Sequence, residues 1–347
     1  MTAIDTPAAV VDLDRLERNL VRWQAETDRL GLSNRPHMKT HRCTAIARRQ
    51  LELGAVGLTC QKLGEAEVMV DGGCEDVLVA YNIVGEAKLE RLAALLGRAR
   101  VTVTVDDASL LPGLAAAAGR AGRELGLLVD CDTGLGRTGV RTPAAAGELA
   151  AAVAAHDGLS FRGLLTYPSP PDAKEFLDAA TADCARRGLG VEVVSVGGTP
   201  AMWAADALVP TVTEYRAGTY AFHDRATIAA GAAGEDDAAL TVHATVVSRP
   251  DRGRAILDAG SKVLASEAAA DGTFGLVVEA PRSRVSKLNE EHAYVDVAEG
   301  DELELGQHVR LLPDHACLIP NLFAELLVVR DSEVVDRWPV DARGRSS

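Results

Sequence analysis

Lys39 stands in the run RPHMKTH, residues 35–41, with a histidine two places to either side. A lysine amine attacks carbonyl carbon only as the free base, and desolvation among barrel walls lowers its pKa enough to make it a Schiff-base nucleophile. The same lysine in a solvated βα loop is an ordinary surface cation. Gly197, Gly198 and Thr199 read VSVGGTP. Adjacent glycines let backbone N–H groups approach a phosphate closely, and a plain tight turn is the other reading. Gly218, Thr219 and Tyr220, in EYRAGTY, offer a second backbone and hydroxyl contact to the same anion, or else a strand end with a glycine bulge. Arg137 projects from the glycine-rich DTGLGRTG, as an oxyanion or carboxylate partner or as a loop cation. His315 and Cys317 read PDHACLIPN. Alternate residues of a strand share a face, so an imidazole and a thiolate could bind zinc there with positions left open. Without an ion they are ordinary strand residues.

These side chains need a scaffold. Eight β-rich runs, at 8–13, 35–40, 55–60, 76–82, 101–106, 126–132, 161–168 and 191–198, alternate with helical stretches such as Leu16 to Leu30, Leu89 to Leu96 and Ala144 to Ala155. That alternation predicts parallel βαβ units closing into a (β/α)8 barrel. A doubly wound sheet is the alternative, but no GxGxxG follows the first strand. Lys39 then falls at the end of the second strand, on the active-site face. VSVGG ends the eighth run, in the region where barrels place a phosphate site. Near residue 232 the texture changes to AAGAAGEDDAAL, a linker or surface loop, and then to β-like runs. The expected division is an α/β barrel over 1–235 and a β domain over 236–347. The closing DARGRSS reads as a loose tail.

A chain of 347 residues exceeds the usual single domain. Aromatics are only 4%, so the core must be aliphatic. The formal charge of −14 has no basic patch to offset it, which argues against nucleic acid as a partner. Six cysteines form no CxxC pair, as expected of reduced thiols in a cytoplasmic protein. The start, MTAIDTPAAVVDL, has no basic leader region, and no window has the roughly 18 apolar residues of a membrane helix.

Taken together, the segments resemble the D-threonine aldolase and D-serine dehydratase family, which has the alanine-racemase-like fold of pyridoxal-phosphate enzymes, fold type III. PHMKTHRC resembles the cofactor-lysine motif. GAVGLTCQKLGEAEVMVDGG and DVLVAYNIVG resemble the aldolase branch. GLGRTGV, GGTP, GTYAFHDR, LDAGSK and PDHAC follow in the family's order over essentially the whole chain. The resemblance implies a barrel holding pyridoxal 5'-phosphate, a β domain carrying a divalent metal (zinc or manganese), a small D-amino acid as substrate, and a homodimer. It implies that Lys39 forms the Schiff base, that Arg137 and Tyr167 contact the cofactor, and that Gly197, Gly198 and Gly218 hold its phosphate. It makes His315 a metal ligand.

Two departures stand out. The family's aldolases often have an aspartate where this chain has Cys317, and His-x-Cys looks more like the dehydratases' zinc pair. Around Tyr167 the family tends to show Tyr-His-Gly, whereas this chain reads TYPSP. The expected reaction is metal-assisted cleavage of a D-β-hydroxy amino acid to glycine and an aldehyde. Dehydration of D-serine and metal-free racemisation are the alternatives. Barrel proteins of cofactor homeostasis lack the C-terminal β domain.

Overall fold

A computed structural model gives the architecture for residues 4–170 and 172–347. The first three residues of the N-terminal segment read for a leader lie outside those described. Contacts divide the chain into two units. One comprises residues up to Arg22, Thr40–Cys43 and Thr219–Gly344; the other comprises Trp23–Lys39, Thr44–Gly218 and Arg345–Ser347.

The second of these is the barrel. Its eight parallel strands are Ser33–Asn34, Leu58–Cys60, Asp76–Val79, Arg100–Val105, Leu125–Cys131, Leu159–Thr166, Val193–Gly197 and Glu214–Arg216. Neighbours pair in chain order, Ser33–Asn34 pairs with Glu214–Arg216, and a bridge from His37 to Thr59 joins the two ends of the ring. Most of the strands are rich in apolar residues because both faces are covered. Leu58–Cys60 is wholly buried, and Leu78, Leu128 and Leu165 pack as one cluster. The intervening helices carry ordinary start and stop signals. Pro143–Ala154 is capped by Thr142, whose hydroxyl accepts from the Ala145 N–H at 3.2 Å, and has proline in its first turn. Leu111–Ala121 ends at Gly122, in the left-handed region at φ +61°.

The other unit is a mostly antiparallel sheet. Its spatial order is Arg284–Leu288, Ala293–Asp296, Arg254–Leu257, Leu240–Asp251, Ala8–Asp12, Glu325–Arg330, Glu333–Pro339, with His308–Leu312 also on Leu240–Asp251.

Several expectations are corrected here. The first β-run is not a barrel strand: Ala8–Asp12 pairs antiparallel with Leu240–Asp251 and parallel with Glu325–Arg330. The run ending in VSVGG is therefore the seventh barrel strand. The eighth is Glu214–Arg216, whose mixed charge disguised it. The final residues are not loose, since the Gly64 N–H donates to the Ser347 carbonyl at 2.9 Å. Among the described residues no helix is long and apolar enough to cross a membrane.

Candidate functional site

Lys39 lies past the two-residue first barrel strand, Ser33–Asn34, on the 3-10 turn Met38–Thr40, and is exposed. Its backbone N–H faces Nδ1 of buried His37 at 3.5 Å. On its other side His37 Nε2 meets Gln61 Oε1 at 3.2 Å, and Gln61 donates to the Ala80 carbonyl at 2.9 Å. Burial, with the charges of Lys39 and Arg216, holds the His37 pKa well below the usual histidine range. His37 is a neutral imidazole beside two cations.

Arg216, on the eighth strand, is buried. Its guanidinium donates to Ser195 Oγ at 2.6 Å and to the Thr166 carbonyl at 2.9 Å. Ser195 donates to Glu214 at 2.6 Å, Glu214 pairs with Arg35 at 2.6 Å, and Arg35 reaches Asp76 at 2.7 Å. Burial pushes Arg216 down to about 10, against the opposing charges of Glu214 and Asp130, so it stays charged near neutrality.

The glycines sit where this network meets the end of the barrel. A Cβ on Gly197 would lie 2.7 Å from the Arg216 carbonyl oxygen. Gly198 has φ +121°, and its Cβ would press on the Tyr167 ring at 3.0 Å. Tyr215 donates to the Gly198 carbonyl at 2.9 Å, and Ser169 to that of Gly197 at 3.0 Å. Buried Thr199 begins the 3-10 segment Thr199–Leu208. Arg137 stands over the Tyr167 ring, 5.7 Å from its centroid. Arg137, Tyr167 and the Gly197–Gly198 pair are thus in one place at the carboxyl ends of the strands, and the charge of Arg216 is felt at His37, which meets the Lys39 backbone. A backbone cradle without side chains, a cationic rim and a lysine amine fit a phosphorylated aldehyde cofactor.

Gly218 ends the barrel unit. Thr219 and Tyr220, grouped with it in the sequence reading, belong to the other unit. Tyr220 is buried, and the Thr219 hydroxyl lies 3.4 Å from Cys317 Sγ. His315 and Cys317 do not lie on a strand. The strand stops at Leu312; His315 caps the 3-10 turn Ala316–Leu318, which contains Cys317. Pro313 and the Asp314 tie to Arg225 end the ladder there. The pair nevertheless meets, because the turn folds the thiol back onto the ring. Burial would raise the Cys317 thiol, but hydrogen bonding to His315, the imidazole's charge and the hydroxyls of Thr219 and Thr40 hold it below its ordinary value. The Thr40 contact is 3.1 Å. The His315 ring is pushed up to about 9, chiefly by its bond to Cys317 and against burial. An imidazole and a thiol that share a proton are a donor set from which a divalent cation can displace that proton. Among the described residues no group of three or more such side chains gathers, so the donors here are a pair.

Sequence reasoning missed His37, Gln61 and Arg216. One signal was present: Glu214 and Arg216 alternate in a short β-run, which points both charges to the same face.

The N-terminal domain of alanine racemase matches residues 11–226, and the putative serine dehydratase domain matches residues 239–329. A D-threonine aldolase of Arthrobacter sp. is 35% identical, over 100% of this chain and 94% of that protein. The crystal structure of D-threonine aldolase from Filomicrobium marinum superposes with a TM-score of 0.91 at 37% identity, covering 99% of this chain and 96% of that one. D-threo-3-hydroxyaspartate dehydratase from Delftia sp. HT23 gives 0.87 at 30% identity, with 97% of each chain covered. A cysteine-to-alanine mutant of D-threo-3-hydroxyaspartate dehydratase, similar at 0.84, is described as the metal-free form.

Proposed function

This chain belongs to the family of D-threonine aldolases and D-serine dehydratases with the alanine-racemase-like fold, pyridoxal-phosphate-dependent lyases, and on that premise we propose that it cleaves D-β-hydroxy amino acids to glycine and an aldehyde with the help of a divalent metal. The observation that carries this reading is the arrangement at the carboxyl ends of the barrel strands, with Lys39 beside neutral His37 and the Gly197–Gly198 cradle beside Tyr167 and Arg137. When bound, the cofactor supplies an electron sink for charge at the substrate's α carbon. Lys39 Nζ would provide the covalent link and afterwards carry a proton. The backbone N–H groups of Gly197, Gly198 and Gly218, with Thr199, would hold the phosphate. Arg137 would offer its fork to an oxyanion, steadied by the Tyr167 ring. Thr219 and Tyr220 flank this segment in the chain.

His315 and Cys317 would hold the metal. A thiolate with an imidazole suits zinc, and manganese would be the harder alternative. The ion would act as a Lewis acid toward a hydroxyl oxygen. A homodimer in the cytoplasm completes the proposal.

Cys317 favours one second reading, dehydration of the D-β-hydroxy amino acid to a keto acid and ammonia. Product analysis separates the two. The protein is incubated with D-threonine, D-serine and 3-hydroxy-D-aspartate, and with the L-isomers, with and without chelator. Glycine from the D-isomers, lost on chelation, is the expected result. Keto acid and ammonia would move the dehydratase reading to first place. Equal turnover of L- and D-threonine, or turnover that ignores the chelator, would overturn the proposal.

A further inference from the structure

The His315 ring has a second partner besides the thiol: its Nδ1 lies 3.1 Å from Glu267 Oε2, 48 residues away in the chain. Glu267 sits between the short helix Ser261–Leu264 and the strand Leu276–Val277. Two residues before it, Ala265 has φ +64° and ψ −179°, a conformation that L side chains rarely adopt. The two side chains are 41% and 57% exposed. An ion pair so open to water contributes little to folding, so stability does not account for the contact.

We propose that Glu267 is a positioning residue for the metal, holding the His315 ring by Nδ1 so that Nε2 is presented to the ion beside the Cys317 thiolate. An imidazole that binds metal through one nitrogen carries a proton on the other, and a carboxylate bonded to that N–H fixes both tautomer and ring orientation. The two ligands are then held independently. Glu267 fixes the imidazole, while the hydroxyls of Thr40 and Thr219, at 3.1 and 3.4 Å, fix the sulfur. This inference rests on the metal reading and extends it to a residue that neither ligates nor touches substrate.

The test is zinc affinity, not turnover. The full-length, cofactor-loaded protein and its Glu267→Ala and Glu267→Gln variants are titrated with zinc against a chromophoric chelator. Glu267→Ala should weaken zinc binding about 10- to 100-fold. Glu267→Gln, whose amide oxygen can accept the same N–H, should recover most of that loss. With cobalt(II) in place of zinc, the thiolate-to-metal absorption band should persist in both variants and shift only in Glu267→Ala. Cofactor absorbance and thermal midpoint should match the parent. A Glu267→Ala protein that binds zinc within twofold of the parent overturns the inference, and so does a Glu267→Gln protein as weak as Glu267→Ala. A parent protein that binds no zinc overturns the metal reading itself, and the inference with it.

Discussion

Two buried imidazoles, His37 and His223, are kept neutral by the same cause, and His223 lets that cause be measured away from the candidate site. Its ring is 4% exposed, and burial pushes its pKa down to about 4. In the unfolded chain it titrates near 6.5. Between those values the unfolded state binds a proton that the folded state refuses, so stability falls as pH drops through that window. The difference reaches about 3 kcal/mol near pH 4. Urea unfolding of His223→Gln should show a flatter pH dependence between about 6.5 and 4. A slope remains, because His243 is also pushed down to about 4 by burial, with His308 and Arg310 adding to it. At the site, borohydride reduction of the cofactor-loaded protein should label Lys39, and Lys39→Ala should take up no covalent cofactor. A label on Lys62 or Lys262 would overturn the assignment. The motif RPHMKTH singles out Lys39 in the sequence. It does not single out His37 or Arg216, since their neighbours, Gln61 just past Leu58–Cys60 and Ser195 on Val193–Gly197, come from distant parts of the chain and only folding brings them close.

Among the elements, the barrel strands were legible wherever an apolar run lasts three residues or more, because burial on both faces writes itself as continuous hydrophobicity. Ser33–Asn34 and Glu214–Arg216 escaped for the opposite reason: they are short and polar, and their side chains serve a buried hydrogen-bond network. His315 and Cys317 were placed on a strand from spacing alone, although Pro313 gave warning that the ladder stops. One irregularity in the barrel invites a test. In Leu159–Thr166 the register slips so that Phe161 and Gly163 oppose consecutive residues of the neighbouring strand. Gly163 has φ +148°, and a Cβ there would fall 1.8 Å from the Val193 carbonyl oxygen. Gly163→Ala should therefore cost about 3 kcal/mol, read as a drop in the urea midpoint. Gly198→Ala meets a ring edge that can move and should spare stability more. It should instead weaken retention of the cofactor, measured by dialysis followed by absorbance.

At the scale of the whole molecule, the expected boundary at 235 gave the first strand to the barrel. Its pairing gives it to the other sheet, because a parallel neighbour more than three hundred residues downstream leaves no local trace in sequence. Ala8–Asp12 lies between Leu240–Asp251 and Glu325–Arg330, and Val10 and Val11 are almost wholly buried. Val10 packs with Ala8 and Leu327. A fragment ending at residue 235 lacks both neighbours and exposes an apolar strand with two open edges. It should aggregate on expression, and removing its first 12 residues should reduce that, as read by the soluble fraction after centrifugation.

The same pairing has a consequence during synthesis. Ala8–Asp12 emerges from the ribosome more than three hundred residues before its parallel neighbour. At about 5 to 20 residues per second, the strand waits roughly 15 to 60 s for that partner. Throughout that time its valines are within reach of nascent chains on neighbouring ribosomes. Yield should therefore depend on holding chaperones that bind short apolar segments near the amino terminus, and slower translation should make that dependence greater.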